Sequence, residues 1–192
     1  MRALPAIVVE HFRAPRNEGP LPTAHLRGEV EGRRVGSRVA LALRLDPQGR
    51  VEQAAFHVSG DPSCRAGLSL LTCFLSGRHV DELAALREED VAAAYGLVEE
   101  QLPLLLPPVE ALRDALHAWR GEPSPYRALG RQVCHCLQVN EGRIVRAIRA
   151  RRLTTVPEVQ FWTRACTGCR SCRLEVEALL DRTGSSEDPA SR

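Results

Sequence analysis

The residue type best suited to chemistry in this sequence is cysteine, and its spacing near the C-terminus is unusual. Cys134 and Cys136 form a CxC pair in VCHC, while Cys166, Cys169 and Cys172 are evenly spaced in ACTGCRSC. Thiolates are strong ligands for zinc and for iron–sulfur clusters, and both kinds of site use four of them. Three thiols in one short stretch therefore need a further ligand, which VCHC can supply.

The spacing alone allows two kinds of centre. Four thiolates form a structural zinc site, or they hold a 2Fe–2S cluster with two thiolates on each iron. The CxC pair favours the cluster, because two or more residues usually separate paired ligands in structural zinc sites. The residues also leave open whether Cys166 with Cys169 or Cys169 with Cys172 completes the site, since both pairs have the same spacing.

Two capped helices between the cysteine pairs are predicted to bring the pairs together. Asn140 is placed to N-cap the first helix, with Val139 and Ile144 suited to a hydrophobic staple. Thr155 and Glu158 fit a capping box at the second helix, and a third helix is predicted beyond the CxxC pair. We expect both pairs to lie in loops next to helix N-termini, where free N–H groups lower thiol pKa values.

The first two thirds of the chain predict a separate domain. A helical pattern in ALPAIVVEHFRA precedes an alternating stretch that indicates two strands joined by a turn at DPQG. We expect this hairpin over residues 38–58 and helices over about 62–76, 80–101 and 107–119, the second broken near REED or Gly96. A small antiparallel sheet covered by helices on one side gives an α+β fold class.

The segment RGEPSPYRALGRQ combines prolines and glycines with no apolar period, which is typical of a linker. The polar C-terminal tail is predicted to be disordered. The expected organisation is a domain at 1–120, a linker at 121–130, a small all-helical metal-binding domain at 131–182 and a tail at 183–192.

Composition narrows the function further. The 192 residues carry a net charge of only +2, which is too small to indicate nucleic-acid or membrane binding. The N-terminus has no apolar run of signal-peptide length, and no stretch approaches the ~20 apolar residues that span a bilayer. We therefore expect a cytoplasmic protein, in which clustered cysteines favour a metal site over disulfides.

The segment from VCHC to SCRLEVEALL resembles known 2Fe–2S domains. It is similar to bacterioferritin-associated ferredoxin and more similar to the central domain of NifU-type iron–sulfur proteins. That pattern is CxC, a helix pair and a Gly-rich run into CxxC, and LTTVPEVQFWTRACTGCRSC follows its second half. The resemblance implies that Cys134, Cys136, Cys169 and Cys172 hold a 2Fe–2S cluster, and that Cys166, where the family usually has glycine, is spare.

Residues 4–119 resemble the NifU/IscU iron–sulfur scaffold fold, which precedes the 2Fe–2S domain in NifU-type proteins. VVEHFRAPRNEGPL matches the start of that family, and GRVEQAAFHVSG and LSGRHVDEL continue the match. The family assembles a transient cluster on three cysteines and an aspartate. The corresponding positions here hold Val35, Ser37, Asp61 and, depending on the register, Leu104 or Arg113. None of these is a cysteine, so the resemblance does not imply assembly activity.

Two cysteines of the first domain stand apart from the others. Cys64 and Cys73 fall on opposite faces of one predicted helix, so they do not share a metal. Cys73 is expected to be a small buried residue. His57, Asp61 and Cys64 could meet at a strand end, although Asp61 as an N-cap followed by Pro62 explains the same sequence.

These features predict a 2Fe–2S protein of iron–sulfur cluster assembly or metabolism, acting as an electron carrier or accessory with a degenerate scaffold domain. The alternative is a zinc-binding structural or regulatory module that uses the same four cysteines. Expected partners are iron–sulfur assembly proteins, such as a cysteine desulfurase, or an acidic redox partner for the Arg-rich helix at 143–152. Nucleic-acid binding is not expected, and no nucleophile–base constellation indicates an enzyme.

Overall fold

The computed structural model describes residues 4–33, 36–60, 62–127 and 129–184. The chain folds into two compact units, Met1–Arg127 and Ala128–Arg192. Val35, Asp61 and residues 185–192 of the predicted tail lie outside the described residues.

The N-terminal unit is built on a three-stranded antiparallel sheet in the order β1-β2-β3. β1 is Leu26–Glu31, β2 is Arg38–Leu45 and β3 is Val51–Ser59. Alternate residues of β2 are buried, which confirms the predicted hairpin and its inward face. β1 is not evident from the sequence pattern, because Gly28 interrupts a short strand whose other face is charged.

Helices cover this sheet, as expected for the α+β class. They are α1 (Ala6–Arg13), α2 (Arg65–Leu75), α3 (Val80–Leu83), α4 (Glu88–Ala94) and α5 (Leu106–Arg120). Short 3₁₀ turns form at Pro62–Cys64, Glu99–Leu104 and Pro125–Arg127. The predicted breaks are confirmed, since REED lies at the start of α4 and Gly96 follows its end. Within the described ranges, every helix is too short or too polar to cross a membrane.

The backbones of α5 and β1 approach each other closely at Gly28. A Cβ at this position would lie 2.6 Å from the backbone nitrogen of Ala115 and would also meet the carbonyl oxygen of Ala111. Both alanines are fully buried, so no large side chain separates the helix from the strand. Gly28 therefore sets the distance between α5 and the sheet.

The His11–Arg16 part of the HFRAPRNEG motif joins α1 to α2. The Nδ1 atom of His11 lies 2.7 Å from the hydroxyl of Ser69, which also accepts the backbone N–H of Arg16 at 2.7 Å. Burial lowers the pKa of His11, and the nearby Arg16 charge acts in the same direction. A neutral imidazole therefore serves this joint as a structural element at pH 7.

The remainder of the motif joins α2 to β3. Asn17 adopts a left-handed conformation (φ 65°) and donates from its side-chain amide to the hydroxyl of Thr72 at 3.3 Å. Backbone hydrogen bonds connect the carbonyl of Asn17 and the N–H of Gly19 to Phe56 on β3. The motif thus joins α1, α2 and β3 through hydrogen bonds.

Asp114 on α5 is buried and attaches two neighbouring segments. Its carboxylate accepts the N–H of Glu29 at 2.9 Å and two guanidinium hydrogen bonds from Arg127 at 3.1 and 3.2 Å. Burial alone would raise the pKa of Asp114, but hydrogen bonds led by those from Arg127 lower it. The predicted linker is therefore attached to the N-terminal unit as far as Arg127.

The C-terminal unit is a helical domain with a small two-stranded antiparallel sheet. Its elements are β4 (Gln132–Cys134), β5 (Val139–Asn140), α6 (Glu141–Arg151), α7 (Val156–Thr163) and α8 (Arg173–Gly184). The three predicted helices are confirmed, and the sheet is an addition to the all-helical domain expected from the sequence. Buried apolar side chains from all of these elements form its core.

The predicted capping box begins α7. The hydroxyl of Thr155 accepts the N–H of Glu158 at 3.4 Å, and the Glu158 carboxylate accepts the N–H of Thr155 at 2.9 Å. The N–H of Thr154 also reaches this carboxylate, and these hydrogen bonds lower the pKa of Glu158. Asn140 is the N-cap residue of α6 as predicted, although its side chain makes no capping hydrogen bond.

Replacing Gly28 by alanine should force α5 and β1 apart, because the added Cβ has no room between the two backbones. Overpacking of this kind costs about 1–3 kcal/mol. We expect urea denaturation of the full chain to show a loss of roughly 2 kcal/mol in the free energy of unfolding. Ala42→Ser, a partly exposed change on β2, is the control and should stay within about 0.5 kcal/mol. Equal losses in the two variants would contradict this account of the packing.

Candidate functional site

The four predicted ligands come from three different parts of the C-terminal unit. Cys134 is the last residue of β4, and Cys136 lies in the turn that leads to β5. Cys169 lies in the loop between α7 and α8, and Cys172 directly precedes α8, where its carbonyl accepts the N–H of Val176. The expectation that both pairs adjoin helix N-termini is wrong for the CxC pair, because β5 separates it from α6.

The structure brings these four side chains together. The Sγ atoms of Cys134 and Cys136 are 3.8 Å apart. The thiol of Cys134 also contacts that of Cys172, and the thiol of Cys136 contacts that of Cys169. Cys134 and Cys172 are buried, whereas Cys136 and Cys169 are exposed. One half of the site therefore lies in the core and the other half at the surface.

Backbone N–H groups point at the buried sulfur of Cys134. Burial disfavours its thiolate, but hydrogen bonds from the backbone of Cys166 and Leu137 and from the adjacent thiols outweigh burial and lower the pKa. The backbone of Cys166 also reaches the sulfur of Cys172. Such donors are the groups that stabilise a metal-bound thiolate or a cluster sulfur.

The remaining thiols divide according to their surroundings. Hydrogen bonds from the hydroxyl and N–H of Ser171 lower the pKa of Cys169 to about 7. The Sγ atom of Cys169 lies 3.2 Å from the Oγ atom of Ser171. Burial, together with the neighbouring Cys134, raises the pKa of Cys172 to about 12. The backbone of Cys169 favours the Cys136 thiolate, yet the thiols of Cys169 and Cys134 together with burial raise its pKa.

Cys166 lies in the same loop but is held differently. Its φ of 64° is left-handed, a conformation that glycine adopts without a steric penalty. Its thiol is buried and lies 3.9 Å from the carbonyl oxygen of Arg170. Arg164 and Arg170 are also left-handed, at φ values of 65° and 62°. The loop therefore contains several strained non-glycine residues close to the four thiols.

Gly168 is required for a different reason, which is close approach. A Cβ at this position would lie 2.9 Å from the Sγ atom of Cys136 and about in contact with the side chain of Leu137. The absence of a side chain leaves space beside an exposed thiol of the site. The donor set, the N–H groups and this space fit a 2Fe–2S cluster held by four cysteines.

Among the described residues, no group of three or more His, Cys, Asp or Glu side chains is arranged to hold one metal ion. The pairwise contacts between the four thiols do not conflict with this finding, because they need not converge on a single point.

The positions that correspond to the scaffold assembly site lack thiols. Ser37 is buried, Leu104 ends a 3₁₀ turn, and Arg113 donates to the carbonyl of Leu86 at 3.2 Å. Val35 and Asp61, which complete the set, lie outside the described residues. No cysteine occurs in the sequence between Cys73 and Cys134.

The second cysteine group suggested by the sequence does not assemble from the residues described. His57 is exposed on β3, whereas Cys64 is fully buried at the end of a 3₁₀ turn. Asp61, which would complete the site or cap the helix, is outside the described residues. The prediction that Cys73 is buried is wrong, because it is partly exposed and lies 3.8 Å from the side-chain nitrogen of Asn17.

The basic helix α6 is only partly a solvated face. Arg143 is 5% exposed, and the Arg151 guanidinium lies 3.9 Å from the centre of the Trp162 ring. Arg149 and Arg152 are exposed, and Arg152 ends the helix in a left-handed conformation. The surface available to an anionic partner is therefore smaller than the five arginines of the sequence suggest.

Comparison with known proteins identifies both units. Residues 5–124 match the model of the NifU-like N terminal domain, and residues 132–182 match that of the BFD-like [2Fe-2S] binding domain. The second match confirms 2Fe–2S as the cofactor expected from the sequence. The assignment of the individual ligands stays a prediction.

Similar proteins span a wide range of organisms. The nitrogen fixation protein NifU of Azospirillum brasilense is 33% identical over 179 residues, covering 91% of this chain and 58% of that protein. The iron–sulfur cluster assembly enzyme IscU of Drosophila melanogaster is 30% identical over 112 residues, covering 57% of this chain and 73% of that protein. A crystal structure of the N-terminal part of a nitrogen-fixing NifU-like protein from Brucella abortus is 18% identical, with a TM-score of 0.46 over 62% of this chain and 95% of that chain. The chain spans between 57% and 61% of the length of four curated NifU relatives.

Substitution of Gly168 by alanine should weaken retention of the cluster. The new Cβ would press on the Sγ atom of Cys136, and overpacking at a packed site costs about 1–3 kcal/mol. We expect loss of visible absorption on exposure to a chelator to be roughly tenfold faster than in the unmodified chain. Leu174→Ala, which changes a 77% exposed side chain near Cys172, is the control and should leave the rate unchanged. A Gly168→Ala protein with an unchanged rate would show that this space is not needed.

Proposed function

Because the chain belongs to the NifU-like N-terminal domain family, we propose that it is an iron–sulfur accessory protein that carries electrons on one stable 2Fe–2S cluster. The cluster is held by Cys134, Cys136, Cys169 and Cys172. The N-terminal unit acts as a docking domain and does not assemble clusters.

The observation that carries this proposal is the meeting of the four thiols. They come from residues far apart in the sequence, and contacts connect Cys172 to Cys134, Cys134 to Cys136, and Cys136 to Cys169. Backbone N–H groups donate hydrogen bonds to the buried sulfurs of Cys134 and Cys172, and Ser171 hydrogen-bonds to the exposed thiol of Cys169. A bound 2Fe–2S cluster would supply one-electron chemistry at this place.

Zinc on the same cysteines is the second candidate, and two observations favour the cluster over it. The thiols include a CxC pair, which is unusual for structural zinc. The backbone N–H groups directed at Cys134 and Cys172 also suit a cluster, because hydrogen bonds to sulfur are among the interactions that tune it.

Exposure of Cys136 and Cys169 supports an electron-transfer role, because a partner can approach one edge of the site. The proposed partners are a redox protein with an acidic surface, which can meet exposed arginines such as Arg149 and Arg152, and proteins of iron–sulfur assembly such as a cysteine desulfurase. We propose no catalytic reaction for the chain itself and a cytoplasmic location.

Metal analysis of anaerobically purified protein tests the cofactor and its ligands. We expect about two irons and two sulfides per chain, with a reddish-brown absorption that is lost or altered in Cys169→Ser and Cys172→Ser. Cys166→Ser should keep the iron content, because this residue is not among the proposed ligands. Stoichiometric zinc without iron would refute the proposal. A lost cluster in Cys166→Ser beside a normal one in Cys172→Ser would reassign the ligand pair.

A second experiment tests the loss of assembly function. In a full-length variant with serine at Cys134, Cys136, Cys169 and Cys172, the N-terminal unit retains only Cys64 and Cys73. We expect no cluster to form on this variant when iron, cysteine and a cysteine desulfurase are supplied, because the scaffold positions lack thiols. The unmodified chain is the positive control. Formation of a cluster on the variant would show that the N-terminal unit can assemble clusters, and would contradict this part of the proposal.

A further inference from the structure

Two side chains of α7 hold the loop segment that contains Cys166. The hydroxyl of Thr163 accepts the N–H of Ala165 at 3.1 Å, and the Nε2 atom of Gln160 donates to the carbonyl oxygen of Cys166 at 2.9 Å. The backbone of Gln160 also accepts the N–H of Arg164. The peptide N–H of Cys166 lies between these two attachments.

That N–H is directed at the interior half of the proposed cluster site. It reaches the sulfurs of both Cys134 and Cys172, which are the two buried members of the ligand set. The left-handed φ of Cys166 (64°) sets the orientation of this N–H relative to the following peptide, whose carbonyl Gln160 holds. An L-residue with a side chain does not favour this conformation, so an external contact is needed to hold it.

We propose that Gln160 is a positioning residue for the 2Fe–2S centre: by holding the carbonyl of Cys166, it keeps the Cys166 N–H on the cysteine sulfurs and thereby raises the reduction potential. This inference rests on the proposed cluster ligation. An N–H that donates to a ligating sulfur withdraws negative charge, and it stabilises the reduced cluster most because that state carries one more negative charge.

The chemistry of Gln160 suits this task. Its amide offers a neutral N–H donor to a carbonyl oxygen, and the contact is partly buried, so water competes less well for the same carbonyl. With glycine at position 166 the left-handed conformation would carry no steric penalty. With cysteine there, the contact from Gln160 offsets that penalty.

The test is potentiometric titration of the full-length holoprotein, followed by visible absorption. One electron passes from the electrode through soluble mediators, one Fe(III) becomes Fe(II), and no bond to the protein is formed or broken. Gln160→Leu removes the donor at similar size, and Gln160→Met serves as a second variant should the first fold poorly. We expect iron and sulfide contents equal to those of the unmodified chain and a more negative reduction potential.

A double substitution separates positioning from a direct effect. In a Cys166→Gly background the left-handed conformation no longer depends on Gln160. We therefore expect Gln160→Leu to shift the potential much less in that background than in the unmodified chain. A shift of the same size in both backgrounds would refute the proposed route through Cys166.

Thr167→Val is the matched control for general loosening of the loop. Thr167 follows Cys166 in the chain and donates from its hydroxyl to the carbonyl of Arg164 at 2.8 Å, whereas Gln160 donates to the carbonyl of Cys166. The reduction potential of the Thr167→Val protein should equal that of the unmodified chain. An equal shift in Thr167→Val, or no shift in a Gln160→Leu protein with full iron content, overturns the inference while leaving the cluster assignment intact. A wild-type chain without a 2Fe–2S cluster instead overturns the proposed function, and this inference with it.

Discussion

The contact between four cysteine thiols is the constraint on which the C-terminal unit depends. Two unit charges 4 Å apart repel by about 4 kcal/mol at an effective dielectric constant of 20, so four thiolates do not coexist here without compensation. The pKa values reflect this conflict, since that of Cys169 falls to about 7 and that of Cys172 rises to about 12. A bound iron–sulfur cluster would relieve the conflict, because the metal charge would replace the protons that some of the thiols hold.

Compensation also comes from the backbone, at the cost of strain in the loop between α7 and α8. Arg164, Cys166 and Arg170 are left-handed, and each such L-residue costs roughly 1–2 kcal/mol. Side chains of Gln160, Thr163 and Thr167 make hydrogen bonds to the same loop, and each typically contributes about 1 kcal/mol. The two effects are of similar size. The loop can therefore keep a conformation in which its N–H groups face sulfur.

Regular features of this chain were predictable, because they depend on local patterns. The capping box of Thr155 and Glu158 and the alternation of apolar residues along β2 can be recognised from the sequence. β1 was missed because Gly28, which looks like a strand breaker, is needed where α5 approaches. The β4–β5 sheet was missed because five residues around VCHC carry no periodic signal.

In the candidate site too, some features follow from sequence patterns and others depend on the three-dimensional structure. The positions of the cysteines were recognised from their spacing and from family resemblance, whereas the donors were not, because a backbone N–H has no sequence signature. Gln160 gave no signal either, since its role follows from the φ angle of a residue further along the chain. The exposure of Cys73 was misjudged because a helical pattern of apolar neighbours does not show that Asn17 comes to lie beside it.

The N-terminal unit belongs to the NifU-like domain family, although the positions that resemble the family's assembly site hold no cysteine. Its joints use His11, Ser69, Asn17 and Thr72, and its sheet and α5 meet at Gly28, so none of these contacts involves a position of the assembly site. Absence of the family's aspartate at Ser37, and of a thiol at Leu104 or Arg113, therefore leaves these contacts intact. Fold and function are separable in this way because a site is a small set of side chains on a scaffold held by other residues. What such a scaffold retains is its surface, which is why docking is the role proposed for it beside a cluster on the other unit.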